Sequence, residues 1–542
     1  MDHDAAAAVA AAAVAAAARA TRDTIGDALR RAARRFRDRT ALRFGPRAWG
    51  FGDLDRAADR VARALLAAGL SRGDRVVAYG RNSDGYLLLW LGCARAGLVH
   101  VPANYALTPT ELGYILSQSG ARALFHQPAL AEAAAAAAAA AGRGGLLRGT
   151  LDTGEAPPGA PDALAAAQDA RWDAGPPPDE GLADTDVAQI IYTSGTTGAP
   201  KGAVMTHRAY LAEYAAAAQA LDFSGADRAL AALPLYHTAQ MHAFSMPQLL
   251  VGAETLLIEA PVPATVLELI ERERITSFFA PPTVWISLLR HEDFDRRDLS
   301  CLRRLYYGAA IMPLPVLEEV RRRLPGALPY QGYGQSEIAP LAAVLRPEEH
   351  DARPTSAGRP IATVETRVVD EAMNDVPPGE RGEIVHRSPQ LMTEYWGKPE
   401  ETAEAFRGGW FHSGDVGTMD EEGFITIVDR TRDVINTGGV LVASREVEDA
   451  ILTHPAVSEC AVVGLPDPRW VEAVTAFVVL RPGGQATEEA LVAHARATLA
   501  PFKLPKRVVF ADQLPRNTAG KLLKRELRAR HGGAREALPG VA

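Results

Sequence analysis

The sequence predicts an α/β protein with a large N-terminal domain of mainly parallel sheets and helical crossovers, followed by a small α+β C-terminal domain. Three observations carry this. The chain has 542 residues, more than one hydrophobic core usually serves at roughly 150 residues per domain. From Arg75 to Phe125, short apolar runs such as Val76-Val77-Ala78-Tyr79 and Leu98-Val99-His100-Val101 alternate with helix-like stretches, the pattern of a parallel sheet with crossovers, and this continues to about residue 370. After Asp429 the spacing changes. A helix over Arg445–Leu452, strands over Cys460–Val463 and Thr475–Leu480, a helix over Glu488–Leu499 and a strand over Arg507–Phe510 make a compact unit of about 110 residues. The boundary falls at Asp429-Arg430, giving domains of 23–429 and 430–542 behind a tail of 1–22.

In chain order, the tail is an Ala/Val run to Ala18 that lacks the basic start and leucine-rich centre of a signal peptide. Arg30, Arg31, Arg34 and Arg35 then fall mostly on one helical face and read as a solvated surface rather than an anion dock. A second Ala run, Ala133–Ala141, leads into Gly142-Arg143-Gly144-Gly145, and Pro176-Pro177-Pro178 follows, so residues 131–182 are expected to form an inserted surface excursion. The uncharged stretch Ala229–Ala253 contains Pro234, Gln240, Pro247 and Gln248, unlike a membrane span of about 20 apolar residues. No transmembrane segment is expected.

Apolar residues at 47% and charged residues at 23% fit a globular chain. A formal net charge of −8 disfavours general nucleic-acid binding, which relies on excess Lys and Arg. Cys93, Cys301 and Cys460 show no close pairing, so neither a disulfide framework nor a cysteine zinc site is suggested, and a reducing cytoplasm is the expected compartment.

The chemistry begins at Val187-Ala188-Gln189-Ile190-Ile191-Tyr192, a strand that runs into Thr193-Ser194-Gly195-Thr196-Thr197-Gly198-Ala199-Pro200-Lys201-Gly202. Glycines let backbone N–H groups approach an anion, hydroxyls add donors, and Lys201 supplies a cation for the outer phosphates. It is not a Walker loop, because neither Gly397-Lys398 nor Gly520-Lys521 is followed by Ser or Thr.

This loop resembles the phosphate loop of the adenylate-forming superfamily of acyl-CoA synthetases, amino-acid adenylation domains and luciferases. Four further motifs follow in that family's order. Tyr333-Gly334-Gln335-Ser336-Glu337 is similar to an element whose hydroxyl meets the nucleotide phosphate and whose glutamate holds magnesium; here Ser336 replaces the usual Thr. Gly409-Trp410-Phe411-His412-Ser413-Gly414-Asp415 resembles the element whose aspartate grips the ribose hydroxyls. Asp429-Arg430-Thr431-Arg432-Asp433 with Gly438-Gly439 resembles the inter-domain segment, which implies ribose contact by Arg430, a hinge at Arg432 and a CoA tunnel at the glycines. Leu514 to Lys521 resembles the C-terminal motif whose lysine, here Lys521, bridges substrate carboxylate and α-phosphate. The resemblance implies that the small domain is mobile. It also assigns Gly308-Ala309-Ala310 and Gln331-Gly332 to adenine, with Tyr333 stacking on the base. Arg432 is bulkier than the usual hinge residue, and Val440-Leu441 replace a common polar pair.

The implied activity joins a carboxylic acid to the α-phosphate of ATP, releasing pyrophosphate, and then transfers the acyl group to CoA. Lys201, Lys521, a magnesium ion on Glu337 and the donors of residues 194–198 would offset the repulsion between carboxylate and polyphosphate. Leu233 to Gln240 resembles the acyl-pocket element, placing Tyr236, His237 and Gln240 at the acid, with Ala310 and Ile338 as apolar walls. No aspartate lies between Ala229 and Gly252 to pair an ammonium, which disfavours amino acids. Small apolar walls favour a medium- or long-chain fatty acid, which is the expected substrate, and a substituted aryl acid, which Gln240, Met241 and His242 would suit, is the alternative. A free-standing acyl-AMP ligase, a luciferase-like oxidation and a non-catalytic scaffold are the rivals. ATP, magnesium and CoA are the expected co-substrates, and a monomer or homodimer the expected assembly.

Overall fold

The computed structural model describes residues 13, 16, 17, 20–142, 145–154, 160–175, 178–193, 200–310, 312–430, 433–437, 440–467, 469–517 and 522–532. Its contacts group the chain into two units, the first made of 1–260, 335–341 and 388–402, the second of 261–334, 342–387 and 403–542. The α/β expectation holds. The first unit carries most of the predicted alternation. Strands Ala123–His126, Arg75–Tyr79, Val99–Ala103 and Val187–Thr193 lie side by side in parallel, and Lys201–Thr206 closes this sheet antiparallel to Val187–Thr193. The helices between them are buried to the degree that the sheet needs. Helix Asp84–Ala96, capped by Ser83 and ended by Gly97 in the left-handed region, is buried at every position, which explains its nearly continuous apolar sequence.

The described elements within 131–182 belong to the fold and are not a surface excursion, while 143–144, 155–159 and 176–177 lie outside the described residues. Strand Leu147–Thr150 extends the parallel sheet beyond Ala123–His126, and helix Ala131–Ala140 buries Ala134, Ala137 and Ala138. The alanines read as low complexity are there because helix Pro109–Gln118 approaches closely: a Cβ on Gly113 would stand 3.2 Å from the Ala137 carbonyl. Asp162, 1% exposed, caps helix Ala163–Gln168 and accepts from the Thr150 hydroxyl at 2.7 Å.

In the second unit, parallel strands Ser277–Phe279, Arg304–Gly308 and Leu328–Gly334 end the α/β pattern earlier than the sequence suggested. Antiparallel pairing then takes over through Glu365–Val369, Gly382–Arg387, Phe411–Met419 and Ile425–Arg430. The C-terminal elements match expectation in kind, with longer strands at Val457–Asp467 and Val471–Leu480, strand Arg507–Phe510 parallel to the latter, and a core around Val447, Ile451, Val462 and Val474. No helix among the described residues is long and apolar enough to cross a membrane.

Excision of residues 131–182, bridged by a short Gly/Ser linker, is expected to abolish cooperative urea unfolding, because it bares one sheet edge and the apolar face of helix Pro109–Gln118. A retained cooperative transition would restore the surface-insert reading.

Candidate active site

Within the first unit the motif residues converge on Glu337. It sits in the short turn Ser336–Ile338, which is pinned from beneath. Glu213, 0% exposed on helix His207–Ala220, accepts from the Leu341 N–H at 3.3 Å and from the Gln390 amide at 2.6 Å. Gln390 also donates to the carbonyls of Ile338 and Leu341 at 3.2 and 3.0 Å. Burial pushes the Glu213 carboxyl well above the usual carboxylate range. Above this platform, the Glu337 Oε1 accepts from the Thr193 hydroxyl at 3.0 Å and from the Tyr395 phenol at 3.2 Å. Thr193 and Lys201 face each other across the paired strands that flank the phosphate loop, so the strand ends set both beside that loop.

Ser336 is 3.0 Å, hydroxyl to hydroxyl, from Thr238, which follows His237 in the acyl-pocket element. Tyr236 is buried with its ring edge-on to Tyr105, while His237 is half-buried. The next residues form a π-helical turn, Ala239–Ser245, a geometry frequent at functional sites. Two of the polar side chains expected at the acid have partners within the protein. Gln240 is 1% exposed, and its amide is taken up by the Leu233 N–H at 3.3 Å and the Ser245 hydroxyl at 3.0 Å. His242, also 1% exposed, stacks on Tyr210 and bonds Tyr214 at 2.7 Å and Gln189 at 3.0 Å. Both polar side chains satisfy the core, so they give no support to an aryl pocket. Ile338 is likewise fully buried.

In the second unit, Asp415 is 2% exposed and accepts from the Tyr333 phenol at 2.7 Å, so Tyr333 orients the carboxylate assigned to ribose. His386, whose ring lies 6.1 Å from that of Tyr333, is held neutral by burial, which pulls it down to about 4 even against the Asp415 charge. Asp415 stands opposite Arg430 on adjacent strands. Gly308 pairs in register with Gly332 so tightly that a Cβ would lie 2.4 Å from the Gly332 carbonyl oxygen; close backbone approach is the reason for that glycine. Ala309, with φ of 61°, and Ala310 are exposed at the strand end, and Gln331 is buried beside them.

Ser194, Gly195, Thr196, Thr197, Gly198, Arg432, Gly438, Gly439 and Lys521 lie outside the described residues. The frame around Lys521 is described: Arg516 pairs with Leu522, and the Leu523 N–H reaches the Pro515 carbonyl at 2.8 Å. Sequence reasoning missed Tyr395, Glu213 and Gln390. Glu213 carried a signal, the lone acid among the alanines and tyrosines of its helix.

An AMP-binding enzyme family model matches residues 29–396, and the C-terminal domain model of AMP-binding enzymes matches 446–521. The chain belongs to the AMP-binding enzyme family. Among its relatives, feruloyl-CoA synthase from an Amycolatopsis species is 40% identical over 93% of this chain and 98% of its own length. Long-chain-fatty-acid–CoA ligase of Bacillus subtilis is 33% identical over 93% and 94%. The ATP-bound structure of MatB from Rhodopseudomonas palustris superposes with a TM-score of 0.85 at 31% identity, covering 94% of this chain and 99% of that one. This AMP-binding enzyme is an acid–thiol ligase of the acyl-CoA synthetase branch, with ATP, magnesium and CoA as co-substrates of a small carboxylic acid.

Two outcomes follow. Because the native Glu213 keeps its proton to higher pH than the unfolded chain, it binds more protons than the unfolded state above the ordinary value of 4.5, and its contribution to stability falls as pH rises from there. The stability of Glu213→Gln relative to the unsubstituted enzyme should therefore improve between about pH 5 and about pH 8 in urea titrations; a constant difference would contradict this. Gly308→Ala should cost about 1–3 kcal/mol by the same titration, and an unchanged midpoint would show that the Gly332 backbone yields freely.

Proposed function

We propose that this ligase activates an aryl acid of the hydroxycinnamate class and delivers it to CoA. The observation that carries the reading is the 40% identity to a feruloyl-CoA synthase across 98% of that enzyme. In the proposed reaction a carboxylate oxygen attacks the α-phosphorus of ATP, the bond to pyrophosphate breaks, and acyl-AMP forms. The CoA thiolate then attacks the acyl carbon and AMP leaves with its oxygen. No general base is required for the first step, because the acid is already ionised.

Lys201 and the hydroxyl of Ser336 take the polyphosphate, with the donors of residues 194–198, while the Thr193 hydroxyl stays on Glu337. Asp415, oriented by Tyr333, takes the ribose together with Arg430. His237, on the half-buried side of its element, borders the acid carboxylate, and Lys521 bridges that carboxylate to the α-phosphate. The residues suit magnesium: Glu337 offers one hard carboxylate, and no cluster of three or more metal-ligating side chains exists among the described residues. Such a donor set fits an ion that keeps its waters and phosphate oxygens. Bound there, magnesium would neutralise charge on the polyphosphate.

A long-chain fatty acid is the second reading, supported by the 33% identity to the Bacillus subtilis enzyme. Purified protein with ATP, magnesium and CoA should give a kcat/KM for ferulate at least about 100-fold above those for octanoate and palmitate, a difference of about 2.7 kcal/mol in transition-state binding. The reverse order would assign the enzyme to fatty acids.

A further inference from the structure

Tyr395 lies in none of the motifs, yet it touches both charged groups of the phosphate-binding arrangement. Its phenol donates to the Glu337 Oε1 at 3.2 Å, and the Lys201 ammonium stands 5.1 Å from its ring centroid. The residue is 9% exposed and rigidly held. The segment 392–396 runs antiparallel along strand Lys201–Thr206, with bonds from the Thr393 N–H to the Val204 carbonyl at 3.0 Å, from Val204 N–H to the Glu394 carbonyl at 2.9 Å, and from Trp396 N–H to the Gly202 carbonyl at 2.7 Å. At its other end the Met392 N–H bonds the Glu337 carbonyl at 2.8 Å, and the Tyr395 N–H reaches the Thr402 hydroxyl at 3.0 Å. One extended segment with a single bridge, Tyr395 to Ala203, therefore ties the backbone of the lysine strand to the backbone of the glutamate turn, and one side chain on it repeats the tie with their charges.

Two features set this side chain apart from core filling. Phenylalanine would fill the same volume and offer the same ring face, so the hydroxyl is the part whose sole described partner is the motif carboxylate. Both described donors to Glu337, from Thr193 and Tyr395, land on Oε1, and none among the described residues reaches Oε2. A phenol is an O–H donor throughout the neutral range.

We propose that Tyr395 is a positioning residue that sets Lys201 and Glu337 jointly for magnesium–ATP: its hydroxyl fixes Oε1 so that Oε2 faces the metal, and its ring keeps the ammonium at the phosphate-loop strand end. This rests on the reading of Glu337 as the metal carboxylate. The test compares the unsubstituted enzyme with Tyr395→Phe, Tyr395→Leu and Glu337→Gln. Mn2+ binding with ATP, without acid or CoA, is followed by electron paramagnetic resonance of the free ion; ATP binding in EDTA is followed by calorimetry, and melting is recorded for each.

Tyr395→Phe should weaken Mn2+ binding about tenfold, as loss of one bond to a charged group implies, while metal-free ATP affinity and melting stay as in the unsubstituted enzyme. Tyr395→Leu should lose Mn2+ affinity equally and also bind metal-free ATP about two- to fivefold less tightly, through loss of the ring face. Unchanged Mn2+ binding by Tyr395→Phe, with weakened binding by Glu337→Gln, would overturn the positioning role and leave the Glu337 reading standing. Unchanged binding by Glu337→Gln would overturn that reading and the proposal with it. Equal ATP affinity of the Phe and Leu variants in EDTA would overturn the Lys201 arm. Should the Leu variant melt early, its ATP titration is run below the onset of its melting, and the Phe comparison decides the Glu337 arm.

Discussion

The contact between Glu213 and Gln390 is the interaction on which the turn carrying Glu337 depends. A carboxyl group with no solvent exposure is tolerated only when its oxygens are bonded, and the partners available to Glu213 are the Leu341 N–H and the Gln390 amide. Gln390 passes the constraint on to the carbonyls of Ile338 and Leu341, one on each side of the turn's exit. Glu337 thus projects from a backbone fixed from below. A polar pair placed within an apolar core has few alternative arrangements, which makes it a precise support for a charged group above.

The two units use a common tactic. In each, a tyrosine phenol donates to one oxygen of a motif carboxylate: Tyr395 to Glu337 in the first unit, Tyr333 to Asp415 in the second. A phenol suits this task because it is rigid, carries one strong donor and stays protonated at neutral pH. At Glu337, fixing one oxygen leaves the other to meet a ligand in a defined direction, at a lower entropic cost than ordering a free carboxylate during binding. The buried histidines serve a different end. His242 and His386 are kept neutral by burial and fill polar positions in the core without adding charge there.

The parallel alternation from Arg75 and the C-terminal order of elements were legible in the sequence, because buried strands and crossover helices leave long apolar runs with regular spacing. The motif carboxylates and Lys201 were legible because their neighbours are unusual for ordinary loops. What was not legible depends on tertiary partners. The alanines of 131–141 read as low complexity until helix Pro109–Gln118 is seen against them. Gln240 and His242 looked like substrate contacts, since a polar residue in an apolar run suggests a ligand; only the fold reveals that Ser245, Tyr214 and Gln189 already satisfy them. Tyr395 was hidden for the opposite reason, because an aromatic residue beside a tryptophan reads as packing.

The central claim is that the carboxylate is activated as an acyl adenylate before any thiol takes part. Exchange of labelled pyrophosphate into ATP, measured in magnesium buffer with ferulate and no CoA, tests this most directly. The account predicts exchange that requires the acid and proceeds without CoA. Exchange that begins only when CoA is added, or release of inorganic phosphate in place of pyrophosphate, would contradict it.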